Sequence, residues 1–320
     1  MKAALIDHLG GAEYLANGLD ALDIELTPDH INADYLFADH DAPWSGREGW
    51  LAEGLGKRII YPHGAGAYST ALYDGCYPVS PHVDTLFVIG EGQKEVAKRI
   101  NYPNPVEAIG WGFCDLAPVK TCSNPKTVLF APTHGPWYNS RDYLIGNIGV
   151  YKALLRLDFD KIVVKLTPST TIAAYVEAGQ MEPDDVPRWL IDGEGIWESE
   201  GVEIVVGEMS DRAGQIALID SADVVVADPG TFGNLAVARG VPTVMWGSVS
   251  IVADPWRRIK PHHPEAWASY VRYPFDCEYQ PLDKCIEQAC TDIVRTGEWR
   301  ERFIGEAFTA EKLANALGGL

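Results

Sequence analysis

The stretch that decides the fold runs from Ser221 to Trp246 and reads SADVVVADPGTFGNLAVARGVPTVMW. A continuous apolar strand is predicted over Val224–Asp228, and a tight turn separates it from a helix predicted over Phe232–Arg239. Gly240 is placed to end that helix, and a second apolar strand follows it. This order of strand, glycine-containing turn, helix and strand predicts a right-handed βαβ unit of a parallel sheet.

The turn that opens the helix has the chemistry of an anion site. Gly230 lets the backbone approach a ligand closely, and Thr231 is a favoured residue at the N-cap of a helix. The free N–H groups at such a helix start carry partial positive charge and suit a phosphate. An ordinary strand–turn–helix corner without a ligand is the alternative. The predicted phosphate-binding residues here are Gly230, Thr231, Phe232, Gly233 and Asn234.

Short apolar runs of the same kind recur along the chain, with helical patterns such as Gly92–Ile100 and Asp211–Asp220 between some of them. Runs that are apolar almost throughout are typical of strands buried on both faces of a parallel sheet. The alternation predicts an α/β protein with two Rossmann-like, doubly wound domains that face each other across a cleft. The predicted strands are Lys2–Asp7, Tyr35–Asp39, Arg58–His63, Thr85–Gly90 and Val106–Trp111, then Thr127–Pro132, Lys161–Leu166, Val202–Gly207, Val224–Asp228 and Thr243–Gly247.

A proline-containing segment without periodicity, Leu116–Lys126, is the best candidate for a linker between the two domains. We therefore expect one domain over residues 1–118 and a second over residues 125–297. The chain ends in an amphipathic pattern, Glu298–Leu317, which predicts one long C-terminal helix within residues 298–320.

Composition and charge narrow the class of protein. The 320 residues are 47% hydrophobic and 22% charged, as in soluble proteins of about two domains. The net charge of −19 disfavours non-specific binding to nucleic acid. No apolar run reaches the roughly 18 residues of a membrane span, and the start of the chain does not resemble a signal peptide. We expect a cytoplasmic protein with free thiols, because the six cysteines lack C-x-x-C spacing.

With these segments in place, the chain resembles the glycosyltransferases of the two-domain GT-B fold. Their nucleotide-binding signature is a strand, DxxS/T, a helix, GxP and a second strand, which Ser221–Trp246 matches. Three further segments resemble one branch, the CDP-glycerol glycerophosphotransferase and polysialyltransferase-like enzymes, and occur in the expected order. They are Tyr61–Tyr68 (YPHGAGAY), Thr127–Arg141 (TVLFAPTHGPWYNSR) and Asp160–Pro168 (DKIVVKLTP).

The resemblance implies a metal-independent enzyme that uses a nucleotide-diphosphate sugar as its donor substrate. It assigns acceptor binding to the N-terminal domain and donor binding to the C-terminal domain. It also implies that the C-terminal helix crosses back to the N-terminal domain, and a terminal helix that packs on its own domain is the alternative.

Four residues outside the turn are candidates for the donor site. Thr133 and His134 follow the first strand of the second domain, where a hydroxyl can donate to a phosphate oxygen. The Arg141 guanidinium group can donate two hydrogen bonds to the same phosphate, and an Arg141 side chain that is only solvated is the alternative. Lys165 lies inside an apolar strand, and a buried lysine needs a charged partner such as a diphosphate. A lysine that snorkels past the sheet edge or pairs with an aspartate is the alternative.

Two positions depart from the pattern of the branch. Thr167 stands where the family usually has a histidine, and Asn234 stands where it often has an acidic residue that binds ribose or sugar hydroxyls. An asparagine still hydrogen-bonds hydroxyls but carries no charge, so the preferred donor is expected to differ.

A general base is predicted at the ends of strands in the first domain. His63 precedes a glycine-rich turn, and a neutral imidazole there can take the proton from an acceptor hydroxyl. The resemblance also points to His63. His8 and Asp41 follow other predicted strands and are rivals for the role, and a histidine that only hydrogen-bonds the turn is the alternative.

An aromatic and basic segment, Ile251–Phe275, predicts a contact with the acceptor, which we expect to be a glycan, a metabolite or a modified DNA base. A packed surface loop is the alternative. Phage-type glycosylation of a hydroxymethylated DNA base is one variant of sugar transfer. Three other functions stay open: polyol-phosphate transfer from a CDP-linked donor, nucleotide-sugar epimerisation and non-catalytic ligand binding. The residues predicted to contact the acceptor are Trp256, Arg257, Arg258 and Lys260.

Overall fold

Two parallel α/β sheets organise the protein, as the pattern of apolar runs predicts. Most of their strands are buried on both faces, which explains why the apolar runs were recognisable in the sequence. The computed structural model describes residues 1–6, 12–39, 54–62, 82–99, 102–132, 149–166, 195–197, 202–206, 211–227, 231–246, 275–276 and 281–318.

Among the described residues, the first sheet has six strands in the order β2-β1-β3-β4-β5-β6, and its neighbouring strands pair in parallel. The strand order changes direction between β1 and β3, which makes that point the topological switch of the sheet. Helix α1 (Glu13–Asp20) follows β1, and helix α2 (Glu91–Arg99) follows β5. The strands are β1 Lys2–Ile6, β2 Glu25–Leu26, β3 Tyr35–Ala38, β4 Lys57–Ile60, β5 Thr85–Val88 and β6 Val106–Ala108.

Within the part of the chain that the structure describes, the second sheet has seven strands in the order β13-β12-β11-β7-β8-β10-β9. Strand β9 is antiparallel to β10, and the other pairs are parallel. The direction of the strand order changes between β7 and β11. The strands are β7 Thr127–Ala131, β8 Lys161–Leu166, β9 Gly195–Trp197, β10 Val202–Val206, β11 Val224–Ala227, β12 Thr243–Met245 and β13 Phe275–Asp276, and the helices beside them are α3 Arg212–Asp220, α4 Thr231–Ala238 and α5 Leu282–Thr291.

The strands predicted from apolar runs are all present, and most end one or two residues earlier than predicted. Strands β2, β9 and β13 were not predicted. Each of them has only two or three residues, which is too short for a recognisable hydrophobic period. Both residues of β2 are also exposed, so no burial marks that strand in the sequence.

The C-terminal segment corrects one prediction, because Glu298–Leu317 does not form a single helix. Helix α6 (Ile293–Phe303) ends before Gly305, whose φ of 66° is left-handed, and helix α7 (Ala310–Leu317) begins after it. Between the two helices the chain pairs with the backbone of buried Trp111. The Trp111 N–H donates to the carbonyl oxygen of Glu306 at 2.8 Å, and the Phe308 N–H donates to that of Trp111 at 2.9 Å.

The chain divides into two compact units. One contains Met1–Asp115 together with Trp299–Leu320, and the other contains Leu116–Arg258 together with Arg272–Glu298. The boundary near the C-terminus therefore falls inside helix α6. The domain ranges expected from the sequence, residues 1–118, 125–297 and 298–320, stay a prediction. Within the described part of the chain, no helix has the length and apolar character that crossing a bilayer requires.

Within the first unit, the buried side chain of Gln93 joins helix α2 to the end of helix α6. Its Oε1 accepts a hydrogen bond from the Gly90 N–H at 2.5 Å, and its Nε2 donates to the Phe303 carbonyl oxygen at 2.6 Å. Both partners are backbone groups that lie away from bulk water, so each depends on the glutamine amide for its hydrogen bond.

We expect Gln93→Leu to lower the free energy of unfolding by about 2 kcal/mol or more, because it leaves a buried donor and a buried acceptor without this partner. Urea unfolding measures the change. Lys98→Ala, at an exposed position of the same helix, is the control and should stay within about 0.5 kcal/mol of the wild type. Equal stabilities of Gln93→Leu and the control would contradict the role of the glutamine.

Candidate functional site

The carboxyl edge of the second sheet, at its topological switch point, is where this fold class binds ligands. Strands β11 and β7 are neighbours there, with Ala227 paired to Ala131, and β8 lies on the other side of β7. Because the three strands are parallel, their carboxyl ends open onto the same edge. Helix α4 begins at this edge, a few residues after β11 ends.

Lys165, the next-to-last residue of β8, is only 5% exposed. Ile162, Val164 and Leu166 of the same strand belong to the main apolar cluster of the second sheet. Side chains alternate along a strand, so Lys165 projects from the opposite face, away from that cluster. Burial of an ammonium group is costly unless opposite charge or hydrogen bonds compensate it, which makes this position unusual for a lysine.

The side chain of Lys165 meets the first turn of helix α4. Its Nζ lies 5.4 Å from the centroid of the Phe232 ring, and Phe232 is the second residue of the helix. Strand β7 separates β8 from β11, and neighbouring strands lie about 4.8 Å apart. The two side chains together therefore bridge the end of β7 and bring an ammonium group to the switch point.

The Phe232 ring and the start of helix α4 both act on the Lys165 ammonium group. The start of a helix carries about half a positive charge, which repels an ammonium group beside it. The negative face of the Phe232 ring attracts the ammonium group, by about 0.5 to 2 kcal/mol depending on its exposure to water. A phosphate bound here would be attracted both by the Lys165 ammonium and by the N–H groups at the start of α4.

Helix α4 is held rigidly, so its start has a defined position. Residues Leu235–Ala238 are fully buried, and Asn234 is 1% exposed. Gly240 ends the helix with a left-handed φ of 70°, as predicted, and a Cβ there would clash with the carbonyl oxygen of Pro118. The helix begins at Thr231, one residue earlier than predicted, so Thr231 is its first residue and not its N-cap.

Five of the predicted donor-site residues lie within the described part of the chain: Lys165, Thr231, Phe232, Gly233 and Asn234. The structure brings Lys165 and Phe232 together. The roles of Thr231, Gly233 and Asn234 stay predictions. Outside the described residues lie the predicted site residues His8, Asp41, His63, Thr133, His134, Arg141, Gly230, Trp256, Arg257, Arg258 and Lys260, whose roles also stay predictions.

The structure places Asp39 at the switch point of the first sheet. Asp39 directly follows β3 and is completely buried, although a carboxylate is rarely buried without compensation. Beside it, Tyr61 follows β4, and its hydroxyl donates to the Ile6 carbonyl oxygen at the end of β1 at 3.0 Å. In the sequence the triplet Asp39-His40-Asp41 was a rival position for the base, and Asp41 was selected from it as the candidate.

The described residues show no metal-binding group and no activated thiol. In the described ranges, no group of three or more His, Cys, Asp or Glu residues is arranged to hold a metal ion. The cysteines in those ranges are free thiols. Burial raises the pKa of the Cys290 thiol to about 12, with smaller contributions from Cys122 and Asp223, so Cys290 stays protonated at neutral pH.

Solved structures that are similar to this chain include a UDP-GlcNAc 2-epimerase, MurG and a wall teichoic acid polymerase. UDP-GlcNAc 2-epimerase from Methanocaldococcus jannaschii, in complex with UDP-GlcNAc and UDP, has a TM-score of 0.55 at 11% identity, covering 99% of both chains. MurG from Acinetobacter baumannii has a TM-score of 0.44 at 10% identity, covering 98% of this chain and 97% of its own. The wall teichoic acid polymerase TagF has a TM-score of 0.48 at 11% identity, covering 99% of this chain and 87% of its own.

No family model and no curated protein matches the chain. At identities this low, similarity to a solved structure establishes the fold alone. The protein therefore has a GT-B-like fold with two Rossmann-like domains, as the sequence predicted, and its assignment to a branch of glycosyltransferases stays a prediction.

Proposed function

We propose that the protein is a glycosyltransferase that moves a sugar from a nucleotide-diphosphate donor to an acceptor hydroxyl. The observation that carries the proposal is the buried Lys165 ammonium group beside Phe232 and the start of helix α4. A diphosphate supplies the negative charge that this place favours. It is also the leaving group of sugar transfer, so the same contacts stabilise the charge that grows on it as the bond to the sugar breaks.

The remaining roles follow from the sequence. The donor diphosphate binds the turn Gly230-Thr231, Thr133 and Lys165, and Arg141 adds a second cation. An acceptor hydroxyl attacks the anomeric carbon of the sugar while a base takes its proton, and the bond between the sugar and the diphosphate breaks. His63 is the first choice for this base, with His8 and Asp41 as alternatives.

A second candidate is the epimerisation of a nucleotide sugar. It is supported by the similarity to UDP-GlcNAc 2-epimerase over 99% of both chains, a protein solved with UDP-GlcNAc and UDP. An epimerase needs the same diphosphate site, so the Lys165 observation fits both functions. The two differ in the outcome of the reaction, because an epimerase changes the configuration of the sugar and needs no acceptor.

Turnover with a panel of donors tests these functions. We expect at least one of UDP-, GDP-, CDP- or ADP-activated sugars to release its nucleoside diphosphate, slowly to water and faster with an acceptor. Lys165→Met should lower kcat/KM by about 100- to 1,000-fold, because it removes one group that stabilises the leaving charge. Coupled detection of released diphosphate measures the rates, and Lys161→Met should retain wild-type activity.

Other outcomes of the same panel identify the alternatives. A changed sugar configuration in NMR spectra without net release would favour the epimerase. Release of CMP from CDP-glycerol would indicate polyol-phosphate transfer, and transfer only to DNA that contains hydroxymethylated bases would identify that acceptor. If no donor gives turnover and no donor gives a thermal shift, the donor site is refuted.

A further inference from the structure

We propose that Cys122 and Cys290 are a redox-sensitive pair, which forms a reversible disulfide and so closes the second unit of the chain covalently. Cys122 lies in the segment that leads into β7, and Cys290 is the next-to-last residue of helix α5. Both residues belong to the second compact unit. Neither cysteine has a role in the proposed transfer reaction.

A backbone hydrogen bond brings the two cysteines together, although they are distant in sequence. The Cys122 N–H donates to the Cys290 carbonyl oxygen at 3.0 Å. Hydrogen-bonded residues of paired strands have Cα atoms roughly 5.5 Å apart, and disulfides join residues whose Cα atoms are about 4.4 to 6.8 Å apart. The backbone spacing that this hydrogen bond sets is therefore suited to a disulfide.

The two side chains share the same apolar surroundings. Cys290 is 2% exposed and belongs to the main apolar cluster of the second sheet, and Cys122 is partly buried and packs against that cluster. Burial raises the pKa of the Cys290 thiol most, and the Cys122 thiol is the next largest cause, which requires the two thiols to lie near each other. Both are free thiols, so the structure shows the pair in its reduced form.

The unequal exposure of the two thiols sets the order of reaction with a small-molecule disulfide such as glutathione disulfide, the oxidant. The more accessible Cys122 thiolate attacks one sulfur of the oxidant, its S–S bond breaks, and one glutathione thiolate leaves. The Cys290 thiolate then attacks the Cys122 sulfur of this mixed disulfide, and the second glutathione thiolate leaves. The protein thereby loses two protons and two electrons, and the oxidant is reduced to two thiols.

The disulfide would change the stability of the second unit. The chain between Cys122 and Cys290 contains all seven described strands of the second sheet. A cross-link restricts the unfolded chain, and this effect rises with the length of the loop that it closes. The oxidised protein is therefore harder to unfold than the reduced protein, in the unit that carries the proposed donor site.

Equilibration of the full chain with glutathione disulfide tests the pair. An incubation at about pH 8.5 is used, because the raised pKa of Cys290 leaves little thiolate at neutral pH. The remaining thiols are alkylated, mass spectrometry of the digested protein identifies the linked cysteines, and thermal unfolding with and without dithiothreitol measures stability. Cys122→Ser and Cys290→Ala each remove one partner. Cys285→Ala, at a buried position of the same helix, is the matched control.

We expect peptides linked through Cys122 and Cys290 as the main product, and an unfolding midpoint about 4 to 15 °C above that of the reduced protein. Dithiothreitol should reverse both changes. Cys285→Ala should form the same link and show a similar rise over its own reduced form. Cys122→Ser and Cys290→Ala should show neither the link nor the rise, because each lacks one of the two sulfur atoms.

The opposite results would overturn the proposal. If Cys122 stays unmodified, or carries glutathione without any link to Cys290, the folded protein does not allow the pair to react. A main link between other cysteines, or a Cys122–Cys290 link that forms only in urea, would show that the native fold does not select this pair. A link that leaves the midpoint unchanged or lowers it would show a strained disulfide that does not stabilise the unit.

Discussion

The burial of an ammonium group beside the positive end of a helix is the constraint on which the carboxyl edge of the second sheet depends. Lys165 and the first turn of α4 would repel each other in isolation, and the Phe232 ring offsets this in part. The proposed binding of a diphosphate rests on this arrangement at the carboxyl edge of a parallel sheet.

The strands and helix α4 fix the positions of Lys165 and Phe232. Parallel pairing of β11, β7 and β8 brings their carboxyl ends to one edge, and the reversal of strand order between β7 and β11 leaves room there for a ligand. Helix α4 cannot shift easily, because its core residues are buried and Gly240 closes it in a conformation that few other residues adopt. The site is thus carried by rigid elements, which is what positioning of a leaving group requires.

Each of the two sheets has a buried ionisable residue near its own switch point. Lys165 comes from the strand beside the switch of the second sheet, and Asp39 follows β3 at the switch of the first. Burial of an ionisable side chain is costly unless hydrogen bonds or opposite charge compensate it, so both positions are unusual for residues of their type.

The sequence by itself determined the α/β class and the strands with long apolar runs, and it marked Lys165 as a charge within such a run, because burial on both sheet faces and a charge within an apolar run are local patterns. The break at Gly305 was missed because it depends on pairing with Trp111, which is distant in the chain. Only the tertiary structure decided that Lys165 meets Phe232 and that Asp39 is buried. Both facts depend on the order of strands in the sheets, and strand order is set by contacts between residues far apart in sequence, which no local pattern records.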